Sequence, residues 1–151
     1  MAKKKPTTAQ VQLHLQLYDL RREARLRQAR EWFLKNYFVA TPEDMQRLAP
    51  PGSQEDASLR MMISYWDQAC LLLEYGLLHE ELFFQTTNEF FFVRERLKPL
   101  APVFRQFFRN PHLSENLEKA SQRYEKWAER LAPGYVAVIR QWSQAQAAGR
   151  G

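Results

Sequence analysis

The chain has 151 residues, a mass of 18.0 kDa and a formal charge of +5, with 45% apolar and 26% charged residues. That length suits one domain burying roughly two-thirds of the surface its unfolded chain exposes, and the composition excludes a disordered or collagen-like chain. A single cysteine, Cys70, excludes an internal disulfide framework and any CxxC zinc or redox pair, and five glycines argue against a turn-dense sandwich or barrel.

The expected fold is therefore all-α: a compact bundle of five or six helices with a long N-terminal helix and a buried central one. Residues 1–8 are expected to form a disordered basic arm, 9–147 a single helical domain and 148–151 a frayed tail. Lys3-Lys4-Lys5 resembles the charged start of a signal peptide, but Gln12, His14 and Gln16 interrupt Val11, Leu13, Leu15 and Leu17, so no apolar run follows. The longest apolar stretch, 70–78, contains Glu74 and falls far short of the roughly 20 residues that span a bilayer. The expectation is a bacterial chain in the reducing cytoplasm, with no transmembrane segment.

In chain order, Thr7 or Thr8 caps a first helix reaching about Phe38. Along it Leu13, Leu17, Leu20 and Ala24 share one face, while Leu26, Ala29, Phe33 and Tyr37 share nearly the opposite one. The two halves pack against different bodies, or a kink divides them. Thr41-Pro42-Glu43-Asp44 supplies a capping hydroxyl, a first-turn proline and first-turn acids for a short helix that ends before Pro50-Pro51-Gly52.

Ser53-Gln54-Glu55-Asp56 opens the central helix, on which Leu59, Met62, Ile63, Trp66, Cys70, Leu73 and Leu77 keep helical spacing. A second column, Met61, Tyr65, Leu72 and Tyr75, leaves only a narrow polar strip of Arg60, Ser64, Asp67 and Glu74. Gly76 ends or bends this helix, and residues 79–84 make a short helical return. Thr86 and Glu89 have capping-box spacing for a helix whose core column runs Phe90, Val93, Leu97, Leu100, Phe104 and Phe107 or Phe108, interrupted at Pro99 and Pro102. After Asn110-Pro111, the stripe Leu113, Leu117, Ala120, Tyr124, Trp127 and Leu131 marks an amphipathic helix, and Tyr135 to Trp142 one more short helix.

Tyr65-Trp66 followed by Glu74-Tyr75-Gly76, the return from Leu78 to Phe84, Phe104-Arg105-Gln106-Phe107, Asn110-Pro111 and the aromatic helix around Tyr124 follow one another in a recognisable order. Over roughly residues 60–130 this order resembles a widespread bacterial family catalogued only as a domain of unknown function. The resemblance implies a small all-helical domain without an established activity. It also implies relatives that can carry an N-terminal membrane helix, for which this sequence has no apolar run.

The usual catalytic signatures are missing. His79-Glu80-Glu81-Leu82-Phe83 starts like the helical zinc-protease motif but has Phe83 where the second histidine belongs, and no histidine has a glutamate three residues before it. Cys70 lies on an apolar column with no base beside it, and no phosphate loop or nucleophile elbow is present. No catalytic residue, metal ligand or cofactor is assigned. Glu74, Glu80, Glu81 and Glu89 leave open an acidic cleft, and with it an enzyme of unfamiliar carboxylate type as a third reading.

Charge is laid out in blocks: residues 1–40 carry nine Lys/Arg against three acids, 41–92 two against nine, and 93–151 eleven against five. An acidic middle between basic flanks pairs internally without any external polyanion. The second reading is a nucleic-acid-associated protein using Arg21, Arg22, Arg25, Arg27 and Arg30, although Glu23 and Glu31 interrupt that run. The first reading is a non-enzymatic protein-interaction module, with a homodimer as the expected assembly. Its candidate interface residues are Leu13, Leu17 and Leu20 on the first helix, and Phe91 and Phe92. A helix turns about 100° per residue, so Phe90, Phe91 and Phe92 cannot share one stripe. Their cover is either an aromatic cluster with Phe83 and Phe84 or a partner.

Overall fold

The computed structural model describes residues 3–149; Met1 and Ala2 of the expected arm, and Arg150 and Gly151 of the expected tail, lie outside the described residues. All regular structure among the described residues is helical: α1 (Thr8–Arg21), α2 (Ala24–Asn36), α3 (Pro42–Leu48), α4 (Gln54–Glu74), α5 (Glu80–Thr86), α6 (Glu89–Leu97), α7 (Ala101–Phe107), α8 (Glu115–Leu131) and α9 (Tyr135–Ala148). These nine helices exceed the expected five or six, and no single long N-terminal helix forms.

The split between α1 and α2 settles the conflict of faces. The Arg22 and Glu23 amides close onto Asp19 and Leu20 carbonyls, and the Glu23 carboxylate accepts from the Leu26 amide at 2.9 Å, capping α2. Two short helices can then each turn their own apolar stripe inward: α2 buries Leu26, Ala29 and Phe33, and α1 lays Leu13 and Leu17 against the core. A similar break at Pro99 separates α6 from α7, with Leu100 buried at the junction.

The long helix α4 is the centre, packed between α2 and α8, and buries Leu59, Met62, Trp66, Ala69, Cys70 and Leu73. It ends as its sequence implies. Gly76 sits at φ +71°, and the Gly76 and Leu77 amides bond back to the Leu73 and Leu72 carbonyls, the paired closure that a left-handed residue permits. Helices α6 and α9 cover the other side of α8.

The Thr86–Glu89 capping box does not form. Thr86 belongs to α5 and donates its hydroxyl to the Leu82 carbonyl at 2.7 Å, while Asn88 is the N-cap residue of α6 without a side-chain capping bond. Glu89 is drawn instead into a charge pair with α2. At the start of α8, Ser114 leaves the first turn uncapped, and Asp67 of α4 caps it from across the core: Oδ1 accepts from the Leu117 amide at 3.0 Å and Oδ2 from Asn116 Nδ2 at 3.2 Å.

Candidate functional site

The three adjacent phenylalanines go in three directions. Phe90 is fully buried among Phe83, Phe84, Trp66 and Tyr124. Phe91 is buried against Tyr124, with the Arg140 guanidinium 5.7 Å above its ring. Phe92 is half-buried and meets Trp142 edge to face. The cover for Phe91 and Phe92 thus comes from α8 and α9 of the same chain, while the expected cluster with Phe83 and Phe84 is made by Phe90 alone.

The leucine stripe of α1 is divided as well. Leu13 and Leu17 pack on the core, where the Leu17 carbonyl also accepts from the Tyr65 hydroxyl at 2.6 Å, and only Leu20 stays exposed. The stripe faces inward because the break after Arg21 lets α1 fold back on α4 and α5, with Gln10 Nε2 reaching the Gly76 carbonyl and His14 meeting Thr86. The expectation of an outward-facing Leu13–Leu17–Leu20 stripe is corrected on that ground.

The five arginines do not form one basic surface. Arg30 makes a two-pronged pair with Glu89, Nε to Oε1 at 2.7 Å and Nη2 to Oε2 at 2.6 Å. Arg21 approaches the same carboxylate at 3.9 Å while lying over the Trp66 ring, and Trp66 Nε1 donates to Glu89 Oε1 at 3.1 Å. Arg22, Arg25 and Arg27 remain exposed around the α1–α2 elbow.

The four glutamates likewise do not share a cleft. Glu74 and Glu80 both pair with Arg123 of α8. Glu81 accepts from Lys3 at 2.6 Å, Gln85 at 2.8 Å and Trp127 at 2.9 Å, contacts that hold its carboxyl down at about 2. Glu89 belongs to the separate arginine pair. The acidic middle of the sequence is thus paired with both basic flanks. Cys70 is buried, and burial pushes its thiol up. No group of three His, Cys, Asp or Glu among the described residues could hold a metal ion, and no described helix is long and apolar enough to cross a membrane.

Phe107 and Phe108, expected on the core column, are instead exposed at the end of α7, where the short helix after Pro99 turns them off the core, and a second open apolar surface lies at the C-terminal end. The α5–α6 turn at Thr86-Thr87-Asn88 faces the last turns of α8 across a groove of about 380 Å³, walled by Phe84, Tyr124, Trp127, Leu131 and Tyr135. Burial and the neighbouring Tyr135 push the Tyr124 hydroxyl up to about 12, and Asn88 engages it rather than capping α6. No charged side chain lines this groove.

Beside the groove, α9 buries Val136 and Ile139 and turns the opposite flank outward. Leu131 (66% exposed), Tyr135 (40%), Val138 (62%) and Trp142 (56%) follow one another along that surface. The only ionic side chain of α9, Arg140, is tied to Glu95 and Glu125, and these pairs hold it charged. The outer face of this helix therefore carries no charge. Its stripe is legible in the sequence as the i, i+3, i+7 spacing of Tyr135, Val138 and Trp142, but that spacing alone does not say whether a helix turns the stripe inward or outward.

The model of the family described as Domain of unknown function (DUF4760) matches residues 6–124, which takes in α1 to α7 and more than half of α8. Trp127, Leu131 and all of α9, hence the exposed apolar strip from Leu131 to Trp142, lie beyond the matched segment. No curated protein and no solved structure matches the chain. The match covers well over half of the sequence, and the chain belongs to the DUF4760 family.

Proposed function

We propose that this protein is a non-enzymatic assembly module that docks other protein through the outer face of α8 and α9, with a second copy of itself as the first partner. One observation carries the reading: the charge-free apolar strip from Leu131 to Trp142 runs directly into the uncharged groove walled by Phe84, Tyr124, Trp127 and Tyr135. A contiguous apolar strip rimmed by polar residues marks a contact surface, and depletion of charge with enrichment of Tyr and Trp is the composition of an interface core. The free, buried thiol of Cys70 supports the reducing cytoplasm as its setting.

The test is light scattering across a concentration series on the wild-type protein and on the double variant Leu131→Gln, Trp142→Gln. Both side chains are exposed, so the variant is expected to keep its helix content while losing self-association. A wild-type protein that stays monomeric throughout overturns the homodimer.

Arg22, Arg25 and Arg27 keep nucleic acid as the second reading, on a smaller basic patch than the sequence suggested. Salt-dependent affinity for mixed-sequence DNA or RNA, reduced on replacing these three residues with Gln, is what that reading requires.

A further inference from the structure

We infer that two copies pair through antiparallel α9 helices about a two-fold axis at Val138, each copy placing its Trp142 in the groove of the other. The inference rests on the assembly reading above and adds its geometry. On the exposed face of α9, Val138 stands between Tyr135, three residues before it, and Trp142, four after. An antiparallel partner centred between positions 138 and 139 therefore sets Tyr135 of each copy beside Trp142 of the other, about 10 Å along the helix from its own. This is the self-complementary pairing that a two-fold axis demands, residue i on j and j on i.

The shapes agree with it. Trp142 is 56% exposed although its ring already leans on Phe92, so it presents a fixed aromatic knob rather than a free side chain. Tyr135 forms one wall of the groove, which is about 380 Å³, uncharged and carries Phe84, Tyr124 and Trp127 on its other walls. The same register brings Ala145, on the same face as Trp142, opposite Leu131 of the other copy, where a small side chain allows close approach.

Charge permits a second copy as the occupant on this face, where it would oppose one elsewhere. Each chain carries +5, so two copies repel wherever basic surface meets basic surface, as it would at Arg22, Arg25 and Arg27. On α9 nothing of either sign faces outward, because Arg140 is consumed by Glu95 and Glu125. A face without charge neither recruits an acidic or basic partner nor repels its own copy. The area reaches what association needs: the four large side chains expose on the order of 500 Å² per copy, and a symmetric pair that covers them completely removes up to about 1,000 Å², the lower limit for specific association.

The experiment uses charge reversal at the axis. Sedimentation velocity of the full chain should show a concentration-dependent dimer. Val138→Arg and Val138→Glu each set like charges face to face, and each should raise the dimer dissociation constant at least about tenfold. An equal mixture of the two should recover a dimer, because only at a two-fold axis does residue 138 meet itself. Helix content measured by circular dichroism checks that both variants fold; should either fail, Val138→Cys under mild oxidation takes its place. Cys70 is buried, so a covalent dimer on a non-reducing gel would report position 138 alone.

A wild type that is monomeric at every concentration removes self-association itself. A wild-type dimer that tolerates Val138→Arg, or is broken by both substitutions without recovery in the mixture, leaves self-assembly standing and overturns this axis. A dimeric Val138→Cys protein that does not cross-link overturns it as well.

Discussion

At the scale of single residues, Glu89 has the most to do. It answers Arg30 with both oxygens, lies within reach of Arg21 and accepts from the Trp66 indole, and its side chain is only 11% exposed. Removing one member of a largely buried pair leaves the others desolvated and unpaired, which costs far more than an exposed pair is worth. Glu89→Ala is expected to lose roughly 3 kcal/mol in urea unfolding, Glu89→Gln less, because the amide oxygen still serves Trp66, and Arg22→Gln about zero. Equal stability of Glu89→Ala and wild type would show that the pair contributes nothing net. Little of this was legible beforehand. Glu89 reads in the sequence as half of a capping box, and Arg30 as one of five similar arginines; their meeting across 59 residues depends on how α2 and α6 are brought together. Nearer the surface, sequence spacing does decide some partners: Asp44 with Arg47, Asp56 with Arg60, Glu95 with Lys98 and Glu115 with Lys119 pair three or four residues apart along the chain.

At the scale of elements, most helix starts follow from local chemistry, and the exceptions follow from tertiary contact. Thr7, Thr41 and Ser53 cap α1, α3 and α4 with their own hydroxyls, as their sequence positions imply. Helix α8 is different: its first-turn amide at Leu117 is satisfied by Asp67 of α4, so the cap and the packing of the two helices are one interaction. Asp67→Ala should destabilise the protein by about 1–2 kcal/mol, as loss of a cap does, with early amide exchange concentrated in the first turn of α8. Uniform exchange along α8 in that variant would mean that the cap is dispensable. The break between α1 and α2 was foreshadowed by the change of apolar face after Ala24, since one straight helix cannot bury both stripes on one body. Where the chain breaks is set by Glu23, whose carboxylate starts α2.

At the scale of the whole molecule, the acidic middle is clasped between basic flanks: Lys3 meets Glu81, Arg30 meets Glu89, and Arg123 meets Glu74 and Glu80. The N-terminal segment is tied down by the first of these and by His79 Nε2 against the Lys4 carbonyl at 2.5 Å. Glu81 titrates at about 2 when folded, below its ordinary 4.5, so the unfolded chain binds the proton more readily. Its contribution is complete above about 4.5 and is lost as pH falls through about 2. Acid unfolding followed across that window should be steeper for wild type than for Glu81→Gln, and identical slopes would remove Glu81 from the account. The all-helical class, the buried central helix, the caps of α1, α3 and α4 and the family were determined by sequence alone, because periodicity, capping chemistry and motif order are local. Which leucines and phenylalanines face out, which arginine finds which glutamate, and the apolar outer face of α9 were decided only by the tertiary structure. A stripe in a sequence says that a face must be covered; what covers it depends on which helices arrive there, and at Leu13, Leu17 and Phe91 the chain's own helices arrive, whereas at Leu131, Val138 and Trp142 they leave the face open.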